Sequence, residues 1–115
     1  MRPRIPGPAS VPDRQDADWL TPGELELLRA EIDTLDVEIV RLLNRRATLG
    51  LAAGHAKTRS GRPLTDAERE RDVLVRISLA NEGPFPQAEL LALYRQLIET
   101  IKHLEEIENS RSSTD

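Results

Sequence analysis

The chain has 115 residues, enough for one domain, and 38% of them are hydrophobic although only one Trp, one Tyr and one Phe occur. Such an aliphatic composition argues against sandwiches and barrels, whose strands favour aromatic and β-branched residues. The lack of cysteine excludes disulfides, thiolate nucleophiles and Cys-ligated metal centres. The net charge of −4 is unlike that of most nucleic-acid-binding proteins.

Apolar runs are short throughout the sequence. None approaches the roughly 20 residues of a membrane span, and residues 1–19 contain no hydrophobic segment typical of a signal peptide. We therefore expect a soluble, cytoplasmic protein with neither a membrane nor a nucleic-acid partner. Basic residues are concentrated between Glu38 and Asp66, where no acidic residue occurs. A basic stretch in an acidic protein suits a small anion better than a polyanion.

The sequence divides into an arm, a helical domain and a tail. Residues 1–20 are rich in proline and lack apolar periodicity, which predicts a disordered N-terminal arm. Residues 21–108 contain the segments with apolar residues at helical spacing, and residues 109–115 are predicted to form a polar tail. Within the domain we find no strand pattern. The sequence therefore predicts an all-α fold with a long, a short and a medium helix.

The first predicted helix is unusually long. The segment 21–24, Thr-Pro-Gly-Glu, has the capping-box pattern, with Thr21 as N-cap. An apolar stripe then continues to about Thr58, through Leu28, Ile32, Leu35, Ile39, Leu42, Leu49 and Ala53. A helix of this length extends about 55 Å, whereas a compact domain of this size has a radius of gyration of about 12–13 Å. One chain cannot bury such a helix, so we infer a homo-oligomer, with a dimer as the default.

Two shorter helices follow. A loop covers residues 59–64, and the capping-box pattern of residues 65–68, with Thr65 as N-cap, predicts a second helix to about Ala80. Gly83 is placed as its C-cap glycine, and Pro86 suits the first position of the third helix. That helix carries apolar residues from Leu90 to Ile107 at helical spacing.

Arg46 stands in the apolar stripe of the first helix, where an aliphatic side chain is expected. Lys57 lies about 20° away around the helix and about 16 Å along it, so both cations face one groove. Burial of an unpaired guanidinium group costs roughly several kcal/mol in folding free energy. A buried Arg46 therefore requires an anion beside it. Alternatively, Arg46 reaches solvent or pairs with a carboxylate of the second helix. Arg29 lies about 100° around the axis from Arg46, so it either joins this groove from a second subunit or is a solvated surface charge.

Three charged residues open the second helix, and two glycines interrupt the first. Asp66, Arg69 and Glu70 can bind hydroxyls, an amine or a carboxylate, although acids at a helix N-terminus also stabilise the helix itself. Gly50 and Gly54 each disfavour a helix by about 1 kcal/mol relative to Ala, which close approach of another helix or a ligand would explain. No ligand spacing indicates a metal, and no motif indicates a cofactor.

Four motifs together resemble the all-helical class of chorismate mutases over about residues 27–106. They are Arg-x-x-Ile-x-x-Leu-Asp at 29–36, Leu-x-x-Arg-Arg at 42–46, Gly-x-x-Lys at 54–57 and Arg-Pro-x-x-Asp-x-x-Arg-Glu at 62–70. The resemblance implies an intertwined homodimer of three-helix chains, in which each of two sites takes residues from both subunits. It also implies a [3,3]-sigmatropic rearrangement of a small dicarboxylate substrate, without nucleophile, metal or cofactor.

The resemblance assigns a role to each matching residue. Arg46, together with Arg29 from the second subunit, holds the two substrate carboxylates, and Arg69 supports them. Lys57 faces the ether oxygen, where negative charge grows as the C–O bond breaks. Asp66 and Glu70 face the substituent at C4 of the ring.

The third helix departs from the family pattern. Bacterial members usually place Ser and, four residues on, a Gln that donates to the ether oxygen, whereas the corresponding positions here are Ile101 and Glu105. An ionised Glu105 would repel the developing oxyanion. Either Glu105 has a raised pKa, or the substrate is 4-amino-4-deoxychorismate, whose ammonium tolerates a more acidic pocket. The acidic residues favour this second substrate, which would give 4-amino-4-deoxyprephenate. The alternatives are conversion of chorismate to prephenate, or a non-catalytic helical partner of a shikimate-pathway enzyme.

Overall fold

The computed structural model describes residues 22–114 and contains three helices in this range. They are α1 over Pro22–Arg59, α2 over Ala67–Ala80 and α3 over Gln87–Thr114, with 38, 14 and 28 residues. The predicted all-α fold with a long, a short and a medium helix is confirmed. The predicted arm over residues 1–20 and the predicted N-cap Thr21 lie outside the described residues.

The C-terminus of α1 is closed by a glycine turn. Gly61 has a φ of 73°, a conformation that glycine adopts without strain. Its N–H donates to the carbonyl of Thr58 over 3.2 Å, and the N–H of Arg62 donates to the carbonyl of Lys57 over 2.8 Å. These two bonds form a Schellman motif, which satisfies carbonyls that the helix itself leaves unpaired. The turn leads the chain out of α1 toward α2.

The N-cap of α2 is Asp66, so the prediction of Thr65 was wrong by one residue. The Oδ1 atom of Asp66 accepts a hydrogen bond from the N–H of Arg69 over 3.0 Å. Asp and Thr can both cap a helix, but a carboxylate also interacts favourably with the positive end of the helix dipole. This register places Glu70 in the first turn of α2.

The connection between α2 and α3 differs from the prediction at two points. The C-cap of α2 is Asn81, whereas Gly83 lies two residues further on with a φ of 78°. Gly83 donates its N–H to Oδ1 of Asn81 over 3.0 Å, so the glycine shapes the turn and not the cap. Pro86 precedes α3 by one residue, and its carbonyl accepts the first helical bond, from the N–H of Leu90.

The third helix is longer than the sequence indicated. It continues to Thr114, so most of the predicted polar tail, residues 109–114, is helical. No proline or glycine occurs in this segment, and therefore no backbone constraint ends the helix.

The described residues form an extended body. They extend over 64 × 27 × 17 Å with a radius of gyration of 19.4 Å, well above the about 12–13 Å of a compact domain. The third helix packs against both α1 and α2. The apolar stripe of α1 remains about half exposed in the single chain, for example at Ile32 (54%), Ile39 (51%) and Leu49 (61%). None of the described helices combines the length and apolarity of a membrane span.

Two glycines on α1 allow α3 to approach closely. A Cβ atom at Gly50 would lie 2.5 Å from Cγ2 of Ile101, and one at Gly54 would lie 3.0 Å from Cγ of Glu105. Ile101 is 4% exposed and Glu105 is 8% exposed. Of the two explanations for these glycines, the structure therefore supports contact with another helix. This contact sets the distance between the cations of α1 and the acid of α3.

Candidate active site

The three helices enclose one cleft of about 320 Å³ that gathers almost all of the predicted site residues. It is lined by residues of α1, of the start of α2 and of the middle of α3. Seven of the eight predicted residues are among them: Arg46, Lys57, Asp66, Arg69, Glu70, Ile101 and Glu105. The sequence therefore located the cleft, while the roles of these residues remain predictions.

The Arg46 side chain is half-buried and lines the cleft. Its guanidinium carbon lies 5.8 Å from the ring centroid of Tyr94 on α3, a cation–π distance. Among residues 23–111, no carboxylate lies within salt-bridge distance of Arg46. The alternative in which Arg46 pairs with an acid of α2 is thus not seen. The guanidinium is available to an anion entering the cleft.

Lys57 points into the same cleft from the last turns of α1. Its Nζ atom donates to the backbone carbonyl of Leu64 over 3.0 Å. This bond, across the turn between α1 and α2, fixes the position of the ammonium group. An ammonium group has three donor hydrogens, so Lys57 can bind a substrate oxygen while it keeps the bond to Leu64.

Glu105 is the most buried acid described in the structure. Burial raises the pKa of its carboxyl group, and the nearby Glu106 raises it further. The positive charges of Lys57 and Lys102 oppose this shift without cancelling it. The raised pKa shifts Glu105 toward its neutral form, which can donate a hydrogen bond where the ionised form only accepts. The raised pKa that the sequence left as one of two alternatives is thus supported.

Lys102 is a cleft residue that the sequence analysis missed. Its Nζ atom lies 3.4 Å from Oε2 of Glu70 on α2 and 3.1 Å from Oε1 of Glu99. These two acids raise the pKa of Lys102, with the hydrogen bond to Glu99 as the largest cause. The signal was present in the sequence, since Lys102 lies three residues before Glu105 and four after Ile98 on one face of a helix.

Asp66 and Arg69 lie at the exposed rim of the cleft. The carboxylate of Asp66 also caps α2, so the structural alternative for this acid is correct in part. Because each carboxylate oxygen can accept more than one hydrogen bond, the cap leaves acceptor capacity toward the cleft.

Arg29 is the one predicted site residue that lies outside the cleft. Its side chain is 62% exposed, and its Nη1 atom lies 3.4 Å from Oε1 of Glu26, one turn earlier. Arg46 lies seventeen positions further along the helix, which corresponds to about 25 Å along α1. Within one chain the two arginines cannot hold the same small substrate, so participation of Arg29 requires a second copy of the chain.

A helical body with a cation-lined cleft, without strands in the part the structure describes, matches known proteins in sequence and in fold. The family model described as chorismate mutase type II matches residues 28–106. The chain therefore belongs to the type II chorismate mutase family. A structure of chorismate mutase from Thermus thermophilus superposes with a TM-score of 0.68 at 34% identity, covering 71% of this chain and 93% of that one.

Relatives in sequence carry the same activity in their names. The bifunctional chorismate mutase/prephenate dehydratase of Aquifex aeolicus is 42% identical over 86 residues, covering 71% of this chain. The intracellular chorismate mutase of Mycobacterium tuberculosis is 44% identical over 55 residues, covering 48% of this chain and 52% of that protein. This chain spans only 24% of the bifunctional Aquifex protein. The similarity therefore concerns one part of that relative.

Proposed function

We propose that this chain is a chorismate mutase that converts chorismate to prephenate. The observation that carries the proposal is the cleft itself, which is lined by Arg46 and Lys57 of α1 and by the buried Glu105 of α3. Several cations that line a cleft of about 320 Å³ suit a small substrate with two carboxylates.

The reaction requires no group transfer from the protein. In the [3,3]-sigmatropic rearrangement a C–O bond breaks while a C–C bond forms within one molecule. The protein must hold the substrate in the chair-like reactive conformer and stabilise the negative charge that grows on the ether oxygen. The guanidinium of Arg46 can hold one carboxylate by two parallel hydrogen bonds, and Arg69 supports this binding from the rim.

In this proposal Lys57 and Glu105 act on the ether oxygen of the substrate. Lys57 supplies a cation whose position is already fixed by its bond to Leu64. A protonated Glu105 donates a second hydrogen bond, whereas an ionised Glu105 repels the developing charge. Because burial raises the pKa of Glu105, the protonated form persists to higher pH than it does for an exposed carboxyl group. Ile101 packs beside it against Gly50.

The C4 substituent decides between the two candidate substrates. Asp66 and Glu70 can accept a hydrogen bond from the hydroxyl group of chorismate or pair with the ammonium group of 4-amino-4-deoxychorismate. The acids alone favoured the amine, but the relatives named for chorismate mutase favour chorismate. The raised pKa of Glu105 supports the same choice, because its protonated form brings one negative charge fewer into the cleft.

We further propose that two chains form an intertwined dimer and that Arg29 of each completes the cleft of the other. Three facts support this arrangement. Arg29 is exposed and too far from Arg46 to act within one chain. The apolar stripe of α1 lacks cover from the described part of its own chain. The chain also folds like a chorismate mutase of known structure.

A direct test is to incubate the purified chain with each substrate and follow the loss of diene absorbance. We expect turnover of chorismate, identified as prephenate, with a higher kcat/KM than for 4-amino-4-deoxychorismate. A clear preference for the amine at neutral pH would overturn the substrate. No turnover of either compound would instead favour a non-catalytic helical partner of a shikimate-pathway enzyme.

A further inference from the structure

Lys102 bridges two elements at the edge of the cleft. Its side chain is 18% exposed, whereas that of Glu99, one of its two partners, is 64% exposed. Its other partner, Glu70, lies on α2 and is 29% exposed. A lysine that served only a surface pair with Glu99 would not need to reach across to α2 and line the cleft.

We propose that Lys102 is a specificity-determining residue: by neutralising Glu70, it makes the cleft select a dicarboxylate with an uncharged C4 substituent over an analogue with an ammonium group there. This inference rests on the proposed function, since it concerns the substrate of the same site.

The charges that line the cleft show the effect of Lys102. The cleft contains four cations, Arg46, Lys57, Arg69 and Lys102, and three acids, Asp66, Glu70 and Glu105. Whichever form Glu105 takes, removal of Lys102 lowers the net charge of the cleft lining by one unit. The amine analogue carries one net negative charge fewer than chorismate, so this loss favours the amine over chorismate. One lysine therefore shifts the charge balance from one substrate to the other.

The short distance between Lys102 and Glu70 also produces a local repulsion against a bound ammonium group. An ammonium group bound to the carboxylate of Glu70 would make a contact of about 2.9 Å. Since Nζ of Lys102 lies 3.4 Å from Oε2 of that carboxylate, the two positive charges would be at most about 6 Å apart when the ammonium group binds the same oxygen. Like charges at this separation repel in a partly buried site. A hydroxyl group has no such penalty and can still donate to Glu70.

Three single variants separate specificity from a structural role. Lys102→Met removes the charge and keeps most of the side-chain length, while Lys102→Arg keeps the charge. Glu99→Gln is the matched control, because it removes the exposed partner of Lys102 outside the cleft. For each variant, kcat and KM are measured with chorismate and with 4-amino-4-deoxychorismate. Lys102→Gln replaces the methionine variant if circular dichroism shows that the latter does not fold.

We expect Lys102→Met to lower the ratio of kcat/KM for chorismate to kcat/KM for the amine by about tenfold or more, chiefly through KM. Lys102→Arg should restore the wild-type ratio, and Glu99→Gln should keep it within about twofold. If Lys102 only ties α2 to α3, its removal lowers stability and affects both substrates equally. An unchanged ratio in Lys102→Met would therefore overturn the inference.

Failure of the proposed function is seen separately, in the wild-type chain. If that chain converts neither compound, the ratio of their dissociation constants, measured by calorimetry, replaces the ratio of kcat/KM. Tighter binding of chorismate that is lost in Lys102→Met would support the role of Lys102 even then. Equal changes in both dissociation constants would contradict it.

Discussion

A Cβ atom on Gly54 would lie 3.0 Å from Cγ of Glu105 and 3.2 Å from its Cδ. One turn earlier, Gly50 faces Ile101 in the same way. Because these pairs repeat at the i, i+4 spacing, two glycines of α1 receive two side chains from one face of α3. The close contact that joins the two helices therefore also buries the carboxyl group of Glu105 and raises its pKa.

Gly50→Ala should destabilise the fold. The new Cβ would lie 2.5 Å from Cγ2 of the buried Ile101, so α3 must move. Overpacking of this kind costs about 1–3 kcal/mol, while alanine contributes about 1 kcal/mol of helix propensity in return. We expect a net loss of up to about 2 kcal/mol in the free energy of unfolding, measured by urea denaturation.

The control for this prediction is the double variant Gly50→Ala/Ile101→Ala. If the clash is the cause, the two losses should be less than additive, because the second substitution removes the atom that the first one meets. A Gly50→Ala chain more stable than the wild type would show that α1 and α3 are not in close contact.

Glu105→Gln should flatten the pH dependence of chorismate turnover. In the wild type, kcat/KM should rise toward acid pH as Glu105 becomes protonated and can donate to the ether oxygen. Glutamine donates at every pH, so the variant should be several-fold faster than the wild type at neutral pH. Glu106→Gln, at the exposed neighbour, is the control that should keep the acid-dependent profile. A wild-type rate independent of pH would contradict the role of Glu105.

Stability should depend on the same carboxyl group. The pKa of Glu105 is raised in the folded chain, so its stabilising contribution is complete below the ordinary pKa of the unfolded chain. The contribution is lost as pH rises through the raised pKa. The difference in Tm between Glu105→Gln and the wild type should therefore grow in favour of the variant from acid to neutral pH. A difference that shrinks over this range would mean that Glu105 is better stabilised in its ionised form.

Arg46→Ala should abolish most of the activity and leave the fold intact. The substitution removes the proposed carboxylate ligand, which we expect to lower kcat/KM by at least about a hundredfold. Its contact within the chain is the cation–π pair with Tyr94, worth about 0.5–2 kcal/mol depending on burial. Arg45→Ala is the matched control, because Arg45 is adjacent, exposed and outside the cleft lining. A large drop in Tm for Arg46→Ala would indicate a structural arginine.

Features of the fold that depend on local pattern were predictable. The apolar stripe, which no proline interrupts, predicted the C-terminus of α1 to within one residue. It also made Arg46 conspicuous among aliphatic residues. Local pattern could not choose between Thr65 and Asp66 as the N-cap of α2, because both residue types cap helices. The same limit applies to Gly83, whose place in the turn depends on the side chain of Asn81.

Contacts between distant parts of the chain were harder to predict. Lys102 acquires its role only when α3 packs beside α2 and brings Glu70 within 3.4 Å. Periodicity places Lys102 on the face of Ile98 and Glu105, but it does not say which helix covers that face. The position of Arg29 is harder still, since its proposed site lies on a second copy of the chain.

The exposed apolar stripe predicts that the chain unfolds as a dimer. Side chains such as Leu35 (48% exposed) and Leu42 (53% exposed) require a partner, so Tm should increase with protein concentration. Leu35→Glu should dissociate or unfold the protein, whereas Thr34→Glu, one position off the stripe, should not. Sedimentation that shows a folded wild-type monomer at micromolar concentration would contradict this prediction.

A shared site can be measured directly by mixing two inactive variants. Arg29→Ala and Arg46→Ala chains are unfolded together in equal amounts, refolded, and assayed with chorismate. In a mixed dimer one cleft carries both substitutions and the other carries neither, and about half of all dimers are mixed. We therefore predict recovery of about a quarter of the wild-type activity, although each variant alone is nearly inactive. A mixture no more active than the average of its two components would contradict a cleft completed by Arg29 of a second chain.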